Sequence, residues 1–100
     1  MPKEYSLSVN YPNPFNPSTN IKYALPEASI TRLSVFDVLG REVERLVDGV
    51  VEAGRHSITW NAADGGGRRV TSGVYFYQMQ ATSVNTHKMF NEVRKMVLLK

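Results

Sequence analysis

Apolar and polar residues alternate along most of this chain with a period of two, the spacing of half-buried β-strands rather than of helices. Ile21, Tyr23 and Leu25 alternate with Asn20, Lys22 and Ala24, and the run stops at Pro26, which has no N–H to give to a ladder. Leu33 and Val35 alternate with Arg32 and Ser34. Asp37-Val38-Leu39-Gly40 then reads as a hairpin turn, with Gly40 free to take a positive φ. Arg41 to Val51 returns as a strand with Val43 and Val47 on one face; its stretch Glu42–Val47 also fits one helical turn, but it is short and has no N-cap. Glu52-Ala53-Gly54 makes another turn, after which His56, Ile58 and Trp60 alternate with Arg55, Ser57 and Thr59. Asn61 to Gly67 is a Gly-rich loop. Val74 to Ala81 is apolar on both faces, which predicts a central strand. Ser83 to Thr86 suits a turn, and in the closing stretch Met89–Lys100 the strongest strand signal is Val93 to Leu99.

About seven short strands, with turn signals roughly every 8–12 residues, predict an all-β fold: an Ig-like antiparallel β-sandwich. Residues 1–6 read as a linker or an expression start, and residues 7–100 as the Ig-like domain. There is no internal repeat and no low-complexity tract. The opening Tyr11-Pro12-Asn13-Pro14-Phe15-Asn16-Pro17-Ser18-Thr19 stands apart in composition. Its three prolines fix φ and push each preceding residue toward extended geometry. Asn13 and Asn16 can bond the local backbone in Asx-turns, and Tyr11 and Phe15 supply anchors. Such a segment is a stiff lead-in that can lie along a sandwich edge without inviting another strand to pair.

Composition narrows the chemistry. One hundred residues make one domain, and 42% hydrophobic with 21% charged residues is a globular balance that argues against disorder. The absence of cysteine removes disulfides, thiolate catalysis and thiolate metal sites. The net charge of +3 is uneven: residues 65–100 hold six basic side chains and one acidic one. That is too sparse for a nucleic-acid stripe, and no reader motif accompanies it. No stretch is long and apolar enough to span a membrane as a helix, and no signal peptide opens the sequence, so the chain reads as cytoplasmic or as a piece of a longer precursor.

Candidate chemistry is thin. His56 and His87 have no serine elbow or orienting carboxylate beside them. Asp64-Gly65-Gly66-Gly67-Arg68 lacks the Lys-Ser/Thr and the helix of a phosphate loop, and Asn61 with Asp64 offers too few oxygens for calcium. Glu42, Glu44, Asp48 and Glu52 lie on one charged hairpin and read as a solvated edge rather than a glycosidase pair. Trp60, Tyr75, Phe76 and Tyr77 offer either a sugar-stacking platform or core packing; core is the expectation for Trp60 and Phe76, with Tyr75 and Tyr77 on the opposite face. No catalytic, cofactor or metal site emerges, so the expected product is a non-enzyme.

Several phrases are more specific. Asn10-Tyr-Pro-Asn-Pro-Phe-Asn-Pro-Ser-Thr19 with Ile21-x-Tyr23-x-Leu25-Pro26 resembles the opening of the type A C-terminal sorting domain of the type IX (Por) secretion system, and of the related Ig-like domain of the flagellar hook-capping protein. Leu33-x-Val35-Phe36-Asp37-Val38-Leu39-Gly40-Arg41-Glu42-Val43 resembles the family's central hairpin, and Ala53-Gly54-x-His56-x-Ile58-x-Trp60 its next strand. Ser72-Gly73-Val74-Tyr75-Phe76-Tyr77 and Lys95-Met96-Val97-Leu98-Leu99-Lys100 resemble its last two elements.

The resemblance implies export to the periplasm, recognition by outer-membrane type IX machinery, and delivery of an upstream cargo domain to the cell surface or medium, in many members with removal of the domain. It places the signal in the final two strands: Gly73, Val74 and Tyr75, and the tail Lys95, Met96, Val97, Leu98, Leu99 and Lys100. It implies no cofactor, no nucleic acid and no membrane insertion. Met96 and Leu98 are expected to face the core, Val97 and Leu99 outward, with free main-chain groups available for strand addition or a receptor groove. Thr82–Arg94 is longer than the family's usual final hairpin. The alternatives are an assembly domain of the hook-cap kind and an adhesion or carbohydrate-binding module on a secreted enzyme.

Overall fold

In a computed structural model, which describes residues 2–99, the chain forms two packed antiparallel sheets. The strands are β1 (Ser6–Leu7), β2 (Thr19–Leu25), β3 (Ser29–Phe36), β4 (Glu42–Val51), β5 (Gly54–Trp60), β6 (Gly73–Ser83) and β7 (Met89–Leu98). The smaller sheet has the order β1-β2-β5 and the larger β4-β3-β6-β7. The expected Ig-like sandwich is what forms. Glu42–Val47 is strand and not a helical turn, and the last strand begins at Met89, four residues before Val93.

The period-two alternation aims one face of each strand between the sheets. Ile21, Leu25, Leu33, Val35, Trp60, Tyr77, Met79, Met96 and Leu98 are all fully buried there. Trp60 sits at the centre, its ring edge-on to Tyr75 at 5.4 Å and tilted against Phe15 at 5.7 Å. Its indole N–H donates to the Ala63 carbonyl at 2.8 Å, so the polar handle is satisfied as the ring is buried.

β6 is central, between β3 and β7, as its two apolar faces predict. The face assignment is the reverse of the expectation, however. Tyr75, Tyr77, Met79 and Ala81 point into the core, while Phe76 lies half-buried on the outer face. The tyrosines can enter because their hydroxyls reach carbonyls at the rim: Tyr75 OH donates to Thr71 O at 2.6 Å and Tyr77 OH to Ser8 O at 2.7 Å. Burial raises the Tyr77 and Tyr23 phenols above their ordinary pKa.

The β3–β4 turn is held by Asp37. Its carboxylate accepts the Leu39 and Arg41 backbone N–H groups at 2.9 and 3.0 Å, and Gly40 takes the positive φ of +82° the turn needs. The N–H donated by Arg41, and then its guanidinium, hold the Asp37 carboxyl below its usual pKa.

Candidate functional site: the terminal strand and the segment that straps it

The final strand is an edge. Among the described strands β7 pairs with β6 alone, in an unbroken register from Thr82↔Met89 to Gly73↔Leu98. This register brings the two segments expected to carry the signal side by side: Gly73 opposite Leu98, Val74 opposite Val97, Tyr75 opposite Met96. Lys95 stands opposite Phe76. Met96 and Leu98 fill the core, while Val97 is half-buried and Leu99 exposed on the outer side, as the alternation predicts. Gly73 has a φ of +151°, which L side chains rarely adopt. Lys100 lies outside the described residues.

The main-chain groups of the tail are not all free, which corrects the simple picture of an open terminal strand. The chain leaves the smaller sheet after β1, bridges Asn20 through the Tyr11 backbone, crosses to the larger sheet, and runs parallel to the end of β7, with Phe15 bridging Leu98. The Phe15 N–H donates to Val97 O at 3.0 Å, and the Leu99 N–H donates to Phe15 O at 3.0 Å. The Asn13 side-chain oxygen accepts the Val97 N–H at 3.1 Å. Asn13 therefore bonds the tail instead of its own turn, which sequence reasoning missed because the partner lies 84 residues away. Phe15 is the anchor it was expected to be, buried against Trp60. Tyr11 is not: its side chain is 80% exposed, and only its backbone is used. All three X–Pro bonds of the segment are cis.

Behind the segment, Asn10 and Thr19 form a buried knot. The Asn10 amide donates to Thr19 Oγ1 at 3.0 Å, and the Thr19 hydroxyl donates to Pro12 O at 2.8 Å. Arg94 closes the gap between the sheets on this side, its Nε donating to Leu7 O at 2.6 Å, while Glu92 pairs with the same guanidinium at 2.7 Å.

The other candidates resolve into structural roles. Asp64 caps its own loop by accepting the Gly66 and Arg68 N–H groups, each at 2.9 Å. Among the described residues no three His, Asp or Glu side chains are grouped to hold a metal. His56 stacks on Tyr23 at 5.3 Å and bonds the Glu52 carbonyl. Glu42 and Asp48 clasp Arg45, whose guanidinium pKa is raised first by the Asp48 hydrogen bond. Because Trp60, Tyr75 and Tyr77 are buried, the proposed sugar platform loses three of its four rings.

Comparison with known proteins agrees with this architecture. No curated protein matches the chain significantly in sequence. FlgD from P. aeruginosa superposes with a TM-score of 0.62 at 23% identity, over 80% of this chain and 61% of that one. PorU from Porphyromonas gingivalis superposes with a TM-score of 0.73 at 18% identity, over 91% of this chain and 9% of that one. PorZ, described as an essential surface component of the type IX secretion system of Porphyromonas gingivalis, gives 0.53 at 22% identity, over 96% of this chain and 11% of that one. At these identities the likeness is one of fold, and this chain spans only part of each relative. Residues 15–85 match the FlgD Ig-like domain family, and the chain belongs to that family.

Proposed function

We propose that this domain is a non-catalytic sorting signal that directs an upstream cargo through the type IX secretion system, by way of the periplasm, to the cell surface or medium, and that outer-membrane type IX machinery reads its last two strands. One observation carries this reading. Two of the phrases that resemble the sorting domain, Asn10–Thr19 and the described part of the tail Lys95–Leu99, meet in space: Asn13 and Phe15 hold Val97 and Leu99 in place. The tail is thereby presented as an ordered element beside Gly73–Tyr75 rather than as a loose end.

The test is export of a fluorescent reporter fused upstream of the domain behind a signal peptide, in a bacterium with type IX machinery. The comparison carries Val97→Asp with Leu99→Asp, outward-facing positions whose change spares the core. A parent that reaches the surface and a variant that melts normally yet stays in the periplasm support the reading. A well-folded parent retained in the periplasm overturns it.

The family match favours a second reading, an assembly domain of the flagellar hook-capping kind. In that case the same surface would contact neighbouring subunits, and the reporter would not be exported.

A further inference from the structure

The edge of β7 is divided. The main-chain groups of Val97 point away from β6, toward Asn13 and Phe15. In an antiparallel ladder the direction alternates residue by residue, so Asn91, Val93 and Lys95 also point their N–H and C=O outward, while Phe90, Glu92 and Arg94 pair with β6. Among the described residues nothing bonds the outward groups of Asn91, Val93 or Lys95. The strap thus covers the end of the edge and stops, and the stretch before it is free of bulges and open.

We infer that this open stretch, Asn91 to Lys95, is a strand-addition site for an extended, acidic segment of a partner protein. Main-chain pairing supplies the contact, and alternate side chains supply the selectivity. Met89 and Val93, 78% and 53% exposed, present apolar surface on the outer face to β-branched residues of the incoming strand. Lys95 closes the stretch on the same outward row as Val93, and among the described residues it has no carboxylate partner. Glu92, the single acid of residues 65–100, is already paired with Arg94. With six basic side chains against one acidic one in residues 65–100, and that acid already paired, a second copy of this strand offers Lys95 no free carboxylate, whereas an acidic residue opposite Lys95 is complementary. The inference rests on the sorting reading only for where the partner is found; the pairing chemistry is a property of this chain.

The experiment has two arms. In the first, the 100-residue chain is titrated with the heptapeptide Thr-Glu-Thr-Val-Thr-Val-Thr, whose glutamate and first valine fall opposite Lys95 and Val93 in antiparallel pairing, while amide exchange is followed by NMR. The expected result is slowing of the Asn91 and Val93 amides by roughly tenfold, no slowing at Val97 or Leu99, and a much weaker effect from the same peptide with lysine in place of its glutamate. No slowing, equal slowing by both peptides, or protection centred elsewhere overturns the inference.

In the second arm, Val93→Pro removes an outward N–H and leaves the β6 ladder intact, whereas Glu92→Pro removes a ladder donor and unfolds the edge. Should Val93→Pro itself melt early, N-methylation of Val93 by semisynthesis makes the same deletion with less constraint. A folded Val93 variant that loses both peptide protection and reporter export supports the site. Normal export by that variant, with export still abolished by the Val97 and Leu99 substitutions, overturns strand addition and leaves the sorting reading standing. A parent that is never exported removes the sorting reading, and the peptide arm then decides the inference alone.

Discussion

β4 and β7 are the two outer strands of the four-stranded sheet, and each leaves a row of main-chain groups with no neighbouring strand. β4 is broken by two register shifts against β3, at Leu33/Ser34 and at Val35/Phe36. The residues skipped are Leu46 and Val43, which turn toward the core beside Val47. Its outer side chains Glu42, Arg45 and Asp48 form a charged network with Arg32 of β3. A strand so kinked and so charged is a poor template for pairing. β7 keeps ten residues in register and is protected by a separate piece of chain, and only near its end. The difference teaches that one sheet can spend irregularity on one side and a strap on the other, and that the strap leaves a choice about how much edge to cover.

The largest expected effect comes from removing the strap's anchor. Phe15→Ala should cost roughly 3–5 kcal/mol in a denaturant melt, because a fully buried ring next to Trp60 is lost. It should also raise the exchange rate of the Leu99 amide; a cost near zero would show that β7 needs no strap and would erase the contrast with β4. Asn13→Ala should cost about 0.5–1.5 kcal/mol and expose the Val97 amide while leaving that of Leu99 protected. On the other edge, Arg45→Ala should move the denaturant midpoint less than either strap substitution, since its partners are exposed and screened. A larger loss there would mean that the charge network, and not the bulges, shapes β4.

The smallest effect is one of pH. Asp37, at the root of the hairpin that leads into β4, has its folded-state pKa depressed chiefly by the Arg41 N–H. Its contribution is therefore present above the unfolded carboxyl pKa and is lost as pH falls through the folded one. Melting temperatures of Asp37→Asn and of the parent should converge in acid and separate toward neutrality; a gap of constant size across that range would assign the effect to turn geometry rather than to charge.

Much of this was legible in the sequence. Alternation gave the strands and the inward side of β2, β3 and β7, and the apolar run Val74–Ala81 gave the central position of β6. What misled was size. Phe76 looks like core, yet the side of β6 that enters the sandwich is chosen by register with β3 and β7 and by carbonyls at the rim able to receive the Tyr75 and Tyr77 hydroxyls. Tyr11 and Phe15 carry similar signals in the proline-rich segment, and only the path of the crossing between sheets separates an exposed ring from a buried one. The bond from Val97 to Asn13 has no local signature at all, because neither residue constrains the other until the sandwich has closed.

That closure has a consequence for the history of each molecule. The segment around Phe15 leaves the ribosome before its partners Val97 and Leu99, so its pairing waits until those residues have been made. A chain that stopped short of Val97 would carry an unmatched strap and lack the buried Leu98 side chain. Finishing the sandwich thus works as a check on completeness, and proteases would meet the unfinished product first.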